Sequence, residues 1–368
     1  MTEHAAAPVR RKSGSASLAQ RAQFASLIDV RSPAEFADDH IPGAISCPVL
    51  SDAERAEVGT LYKQVSPFAA KKLGAAYISR NIGEHLQARF LHQDKNWRPL
   101  IICWRGGLRS GAMTTVLRSV GWDACQLEGG YKGFRQHVLN ELDTLPGRFR
   151  LHLLDGPTGS AKSRILQEIA ARGGQVLDLE GLACHKGSVL GRLPTQPQPA
   201  QKWFETQIWH QLSQFDPAAP VFIEAESRKI GLLRLPAALF AQMQSAHSYR
   251  IDAPASARIA YLLRDYAYFT QTPQALKDAL AGLHHLLGQE CLDTWYAQID
   301  QGRFAELTAE LLARHYDPLY RRARLRDYGE PAITTMMSAQ LEDTDITRLA
   351  HDILQHATSF SPYGALHV

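Results

Sequence analysis

Cysteine is scarce and scattered: five residues, Cys47, Cys103, Cys125, Cys184 and Cys291, with no C-x-x-C pair among them. That number and spacing exclude a disulfide framework and a cysteine-rich zinc site, and they point to a reducing compartment, the cytoplasm. Long hydrophobic runs are missing as well. No stretch reaches the roughly 18 apolar residues that a membrane span needs. Near the start, Arg10, Arg11 and Lys12 are followed by Ser and Ala rather than by the apolar core of a signal peptide. Residues 1–18 therefore read as a flexible tail. An excess of one charge is absent too. Forty Lys plus Arg against 37 Asp plus Glu leave +3, so bulk charge alone does not argue for nucleic-acid binding, although a local basic face remains open. Internal repeats are not seen.

What is present is an ordinary globular composition, 45% hydrophobic and 21% charged over 368 residues, enough at about 150 residues per domain for two to three domains. From residue 19 to 142, short apolar runs (FASLIDV, PLIIC, ACQLEG) alternate with helix-like stretches, the texture of an α/β domain. The turn formers DTLPG at 143–147 break it. RLHLLDG at 150–156 starts a second α/β unit over 148–252, continued by QVLDLEG and PVFIEAE. Inside it, PTQPQPAQ at 194–201 reads as a surface loop. Residues 253–368 carry apolar residues at helical spacing, for example Phe304, Leu307, Leu311 and Leu312, and are expected to form a helical region packed on the second unit.

The first chemical signal is CWRGGLRSG at 103–111, which follows an apolar strand-like run and precedes a helix-like one. A cysteine at a helix N-terminus, beside glycines whose amides can curl inward and beside Arg105 and Arg109, is in an activating position, because each of these favours the thiolate. Cys103, Arg105, Gly106, Gly107 and Arg109 are the candidate catalytic set. Two enzyme classes use such a loop. Cys103 to Arg109 fits the C-x5-R signature of cysteine phosphatases, and the loop is also similar to that of rhodaneses, whose cysteine carries a transferable sulfur or its selenium analogue. The flanks favour the second: Asp29, Arg31, Glu35, Phe36 and His40 to Ala44 resemble a rhodanese run, as does LEGGYKGFR at 127–135. Asp39 stands where that run usually has Gly, which reads as a change in a surface turn. Asp29 and Arg31 are expected to buttress the loop rather than react.

The second signal is GPTGSAKS at 156–163, placed between a strand and a helix as a phosphate-binding P-loop requires. Gly156, Gly159, Ser160, Lys162 and Ser163 are the candidate diphosphate ligands: successive amides wrap the anion, Lys162 adds a point charge and the Ser163 hydroxyl can ligate magnesium. Ala161 replaces the second glycine of the motif, which is expected to be tolerated if that residue takes a helical φ. Glu224 and Glu226, past the strand VFI, are candidates for metal binding or acid–base work. His185 and Lys186, in a glycine-flanked turn, and Arg228 and Lys229 are candidates for substrate binding. Cys184 reads as a packed small hydrophobe rather than a second thiol nucleophile. No residues mark an adenine or guanine pocket.

The pairing of these two loops, together with DAERAEVGTLYKQVSPFAAKKLGA at 52–75, LEGLACHKGSVLG at 179–191, ESRKIG at 226–231 and HYDPLY at 315–320, resembles the tRNA 2-selenouridine synthase family over about residues 22–328. The resemblance implies an α/β fold: a rhodanese-like domain followed by a P-loop NTPase-like domain with a helical C-terminal region. It implies a tRNA substrate carrying wobble 2-thiouridine, whose sulfur receives a geranyl group from geranyl diphosphate before the S-geranyl group is exchanged for selenium from selenophosphate. No tightly bound cofactor is expected beyond magnesium, and the enzyme that makes selenophosphate would be a transient partner. On this reading the P-loop holds the diphosphate of the geranyl donor and Cys103 handles selenium. Lys63, Lys71, Lys72, Arg80, Arg228, Lys229, Arg321, Arg322, Arg324 and Arg326 are candidates for a tRNA path. Two alternatives stay open on the residues alone: a cysteine phosphatase with a regulatory P-loop domain, and a nucleotide-driven switch with a degenerate rhodanese module.

Overall fold

A computed structural model describes residues 14–188, 190–193, 196–284, 288–329 and 332–359. The chain divides into two compact units, Met1–Asn140 and Glu141–Val368.

Among the described residues, the first unit is built on five strands: β1 (Ser15–Ala16), β2 (Ser26–Asp29), β3 (Ala44–Ser46), β4 (Pro99–Ile102) and β5 (Cys125–Leu127). They form one sheet of order β1-β5-β4-β2-β3, every pair parallel. Its helices are α1 (Pro33–Asp38), α2 (Asp52–Gln64), α3 (Pro67–His85), α4 (Leu108–Val120) and α5 (Gly130–Thr144), and the division between the units falls within α5. Four consecutive residues of β4 are buried, because a parallel strand is covered by helices on both faces. Ile28, Ile101, Met113, Leu117, Trp97 and Trp122 share its core. Residues 15–16, inside the segment expected to be tail, form an edge strand hydrogen-bonded to β5; residues 1–13 lie outside the described residues.

The second unit contains β6 (Leu151–Asp155), β7 (Gln175–Leu177), β8 (Val221–Glu224), a separate hairpin of β9 (Lys229–Ile230) and β10 (Leu233–Arg234), β11 (His247–Asp252) and β12 (Ile333–Met337). Apart from the hairpin, these strands form a parallel sheet of order β12-β11-β6-β8-β7. Helices α6 (Lys162–Ala171), α7 (Leu179–Ala183), α8 (Gln201–Leu212), α9 (Ala237–Gln244) and α10 (Ala255–Asp265) follow in order. All five residues of β6 are buried, and its three leucines each contribute about 1.5–3 kcal/mol by leaving water. From β6 the chain runs to one side of the sheet and later returns to the other, so a crevice opens at the carboxyl end of β6. The described residues between 253 and 359 are mainly helical but also supply β12, an edge strand of this sheet. The helix Asp343–Ser359 packs beside Ile165 and Ile169 of α6. Of the Pro and Gln tract, Pro194 and Thr195 lie outside the described residues, and 196–200 has no regular element. Among the described residues no helix is long and apolar enough to cross a membrane.

Candidate active site

Cys103 follows the last residue of β4, and α4 begins five residues later. The loop between them turns on Gly106. Its φ is +70°, and a Cβ at that position would lie 2.8 Å from the Leu127 carbonyl oxygen, so no side chain fits. The Gly107 amide donates to Sγ at 3.1 Å and the Ser110 hydroxyl lies 2.9 Å from it. Ser110 in turn accepts from the Gln126 amide at 2.9 Å. The segment after β5 clamps the loop, Tyr131 N–H donating to the Cys103 carbonyl at 2.8 Å and Lys132 N–H to that of Trp104 at 2.9 Å. Arg31 forms a buried ion pair with Asp29 at 2.6 Å, and its guanidinium sits 3.8 Å over the Tyr131 ring. Asp29 and Arg31 thus support the cysteine through Tyr131.

Two expectations about this loop are corrected. Asp39 is not in a surface turn: it is fully buried, and its carboxylate accepts from the Tyr131 hydroxyl at 2.8 Å. Arg109 does not join the cradle around Sγ. It pairs with Glu35 at 2.7 Å, and Glu35 also takes Arg55 at 2.8 Å. Burial pushes the Glu35 carboxyl up, but Arg109 more than offsets this and holds it below its ordinary value. Arg105 is exposed. The donor on sulfur is therefore a backbone amide, with the Ser110 hydroxyl beside it donating to the Gly107 carbonyl at 3.2 Å, and the arginine that a C-x5-R phosphatase would turn onto its phosphate is neutralised by a carboxylate.

In the second unit, residues 156–161 connect β6 to α6 as a P-loop. Gly159 takes φ +85°, and a Cβ there would meet the Leu262 side chain at 2.9 Å. Ala161 does not take a helical φ as expected. It is left-handed, φ 59° and ψ 23°, and its methyl is buried in the core with Ile165 and Leu166. Packing there offsets a conformation that costs an L-residue about 1–2 kcal/mol. Lys162 Nζ spans the loop to the Gly156 carbonyl at 2.9 Å, Ser160 Oγ donates to the Pro157 carbonyl at 2.7 Å, and Ser163 Oγ donates to Glu180 at 2.8 Å.

Carboxylates gather opposite the loop. Glu224, at the end of β8, is fully buried; one oxygen accepts from Leu179 N–H at 3.2 Å and the other has no partner. Burial first, then the charges of Asp178 and Glu180, hold its carboxyl protonated well above the ordinary range. Burial and Glu180 push Glu226 up to about 8, against the pull of Lys162. A hydrogen bond with Glu180, beside Ser163, adds to this rise. Glu180 and Glu226, but not the fully buried Glu224, line a cleft of about 490 Å³ with Gly156, Gly159, Ser160, Lys162, His185, Lys186, Tyr261 and Tyr320. Lys186 pairs with Asp265 at 2.7 Å and lies 4.3 Å over the Tyr266 ring. His185 is buried, and burial, then Arg192, hold its imidazole below the usual value. Arg228 and Lys229 are exposed at the β9–β10 hairpin and do not line the cleft. Cys184 is half-buried in left-handed conformation at the end of α7.

Several site residues escaped sequence reasoning. Asp155, the last residue of β6, is 1% exposed and accepts from Gly156 N–H at 2.9 Å, Tyr320 hydroxyl at 2.7 Å, Arg250 at 3.3 Å and Arg324. Arg324 is therefore a buried partner of the loop strand rather than part of a tRNA path. Asp317 pairs with Arg258 at 2.6 Å, and Arg258 Nε donates to the Thr158 carbonyl of the P-loop at 2.9 Å. The DPLY run in HYDPLY is thus a brace for the phosphate loop. A narrow apolar pocket of about 70 Å³, lined by Leu190, Leu263, Phe269, Leu276, Phe304, Leu307 and Leu311, adjoins the cleft; the two share Thr158, Ser188, Leu262 and Tyr266.

The family model for the tRNA 2-selenouridine synthase AAA domain matches residues 149–344, and that for the rhodanese-like domain matches residues 15–137. A tRNA 2-selenouridine synthase of Shewanella halifaxensis is 32% identical over 323 residues, 80% of this chain and 87% of that protein. The chain belongs to the tRNA 2-selenouridine synthase family. Another member, from Cronobacter sakazakii, is 34% identical over 359 residues, 85% of this chain and 90% of its own. The member from Nitrosomonas europaea is 37% identical over 255 residues, and there the alignment spans 68% of this chain and 65% of the relative. The two family models place Cys103 in the rhodanese-like domain and the Gly156–Ser163 loop in the AAA domain.

Proposed function

We propose that the protein replaces the sulfur of a wobble 2-thiouridine in tRNA with selenium, by way of an S-geranyl intermediate made from geranyl diphosphate, with selenophosphate as selenium donor. The observation that carries the reading is the adjacency of a phosphate loop and an apolar pocket: the cleft matches a diphosphate head, and the pocket, about 70 Å³, matches the end of a hydrocarbon tail whose remainder would lie in the cleft. Nucleoside triphosphates match only the first. Loop amides and Lys162 stabilise charge on the departing diphosphate while the thiocarbonyl sulfur attacks the allylic carbon. Alkylation turns sulfur into a good leaving group; the selenium of selenophosphate then adds at the same ring carbon as geranyl thiol departs, and water cleaves the selenium–phosphorus bond to release phosphate. Cys103, buried beside an amide donor that suits an anion, handles that selenium.

Magnesium fits the donor set. Ser163, Glu180 and Glu226 stand together at the loop, and among the described residues no cluster of three or more His, Cys, Asp or Glu side chains is arranged to hold a metal by itself. This suits a cation bound largely through phosphate oxygens. Magnesium would supply further charge stabilisation to the diphosphate; Ser163 and Glu180 would hold it.

The pocket supplies the test. Leu307→Trp fills it by a change outside the phosphate loop, so geranyl diphosphate should bind at least tenfold more weakly while inorganic diphosphate binds as before. Equal affinity of the variant and the unmodified chain for geranyl diphosphate would refute the tail assignment. The phosphatase reading loses support from the Arg109–Glu35 pair, and the switch reading offers no role for the ordered amide donor on Cys103 Sγ.

A further inference from the structure

Helices α2 and α3 form an antiparallel hairpin in the first unit. Val58 packs on Gly74, the Tyr77 hydroxyl donates to Glu57 at 2.9 Å, and Asn81 donates to Glu54 at 2.9 Å. Each step toward the turn on one helix is thus matched by a step on the other, and Val65–Ser66 is the tip. The turn is built from its sequence: Ser66 Oγ accepts from Ala69 N–H at 3.3 Å and Pro67 occupies the first helical turn. At the base the hairpin is acidic and paired, with Glu54, Glu57, Arg80 and Asn81 bonded across it.

The tip is different in kind. From Val58 to Ser79 there is no acidic residue, while Lys63, Lys71 and Lys72 are exposed. Beside them Tyr62, Val65 and Phe68 are 55%, 72% and 69% exposed, although a helix packed on a domain ordinarily turns such side chains inward. Lys72 Nζ lies 5.2 Å from the Phe68 ring centre. Exposed rings among unopposed lysines match the chemistry that holds unpaired nucleotides: cations take the phosphates, and every base has a face that can stack.

We infer that the α2–α3 tip is a docking surface for a single-stranded segment of the RNA substrate, with Tyr62 and Phe68 as stacking platforms and Lys63, Lys71 and Lys72 as phosphate contacts. This rests on the proposed reading that tRNA is the substrate. It adds where the chain grips it, through residues other than those of the Cys103 loop and the P-loop. The charge of the tip selects RNA over a second copy of this hairpin, which would bring like charges together.

The experiment measures binding of the full chain to 2-thiouridine-containing tRNA by fluorescence anisotropy at several salt concentrations. Tyr62→Ala/Phe68→Ala should weaken binding at least tenfold. Lys63→Ala/Lys71→Ala/Lys72→Ala should lower the slope of log affinity against log salt by about 2, each lost phosphate contact removing roughly 0.7–0.9. The corresponding triple Lys→Arg variant should restore binding. A circular dichroism spectrum and calorimetric unfolding transitions matching the wild-type chain report that all variants fold. If the wild-type chain binds the tRNA and both variants bind it equally well, the inference is wrong and the substrate reading stands. If the wild-type chain binds no tRNA, the substrate reading itself fails. Loss of self-association in sedimentation by the aromatic variant, with tRNA affinity intact, would make the tip a dimer contact and overturn the proposal.

Discussion

Asp155→Asn is the sharpest test of how the phosphate loop is held. The carboxylate is 1% exposed and meets Arg324, itself 7% exposed, together with Tyr320, Arg250 and the Gly156 amide. Asparagine keeps the shape but removes the charge and turns an NH2 group toward a buried guanidinium. Breaking one partner of a buried pair costs about 3–5 kcal/mol, because the other charge is left uncompensated. For a unit of this size each kcal/mol moves the midpoint by about 2–4 °C, so the transition of the second unit should fall by about 6–20 °C in calorimetry. The pH dependence has a definite sign. Burial raises the Asp155 pKa, but hydrogen bonds from Arg324 and Tyr320 more than offset it, so the folded value lies below 3.8. The stabilisation is full above the unfolded value and is lost as pH falls through the folded one. The variant should lack that acid-side loss. A change below about 1 kcal/mol, with the acid limb unaltered, would show that Arg324 does not depend on Asp155 and refute the brace.

Cys103→Ser should abolish selenium incorporation while S-geranyl nucleoside still accumulates, as read by nucleoside mass spectrometry. Lys162→Ala should lower the geranylation rate by about 10²–10³, the cost of removing one preorganised electrostatic donor, with the tRNA affinity unchanged. Glu226 titrates near 8 in the folded chain against 4.5 as a free carboxyl, so the native state holds the extra proton between these values. Stability should therefore fall as pH rises from about 4.5 to about 8, and Glu226→Gln should flatten that slope in urea titrations at fixed pH.

Both chemical loops were legible because each is local. A glycine-rich run between an apolar strand and a helix specifies its own backbone, and Cys103 with Gly106, or Lys162 with Gly159, can be read from a few consecutive letters. The supports were not, since they come from afar. Asp155 meets Tyr320 and Arg324, and Thr158 meets Arg258, across long separations that no spacing rule connects. Arg109 shows the same limit from the other side: its distance from Cys103 in sequence suggested a cradle residue, yet Glu35, on α1, takes it. Ala161 was misjudged because a left-handed residue with a methyl is tolerated only where surrounding packing holds it. The edge strands are too weak in pattern to stand out beside buried runs such as PLII: β1 has only two residues, and none of the five residues of β12 is fully buried. The exposed rings of the α2–α3 tip could not be told from core residues until the hairpin showed which face was bare.

Nucleoside mass spectrometry of thiolated tRNA after incubation with the purified chain tests the central claim most directly, with geranyl diphosphate and selenophosphate supplied separately and together. The account predicts S-geranyl-2-thiouridine with the first alone and 2-selenouridine with both. An unchanged 2-thiouridine peak in every arm, from folded protein and verified thiolated tRNA, would contradict it.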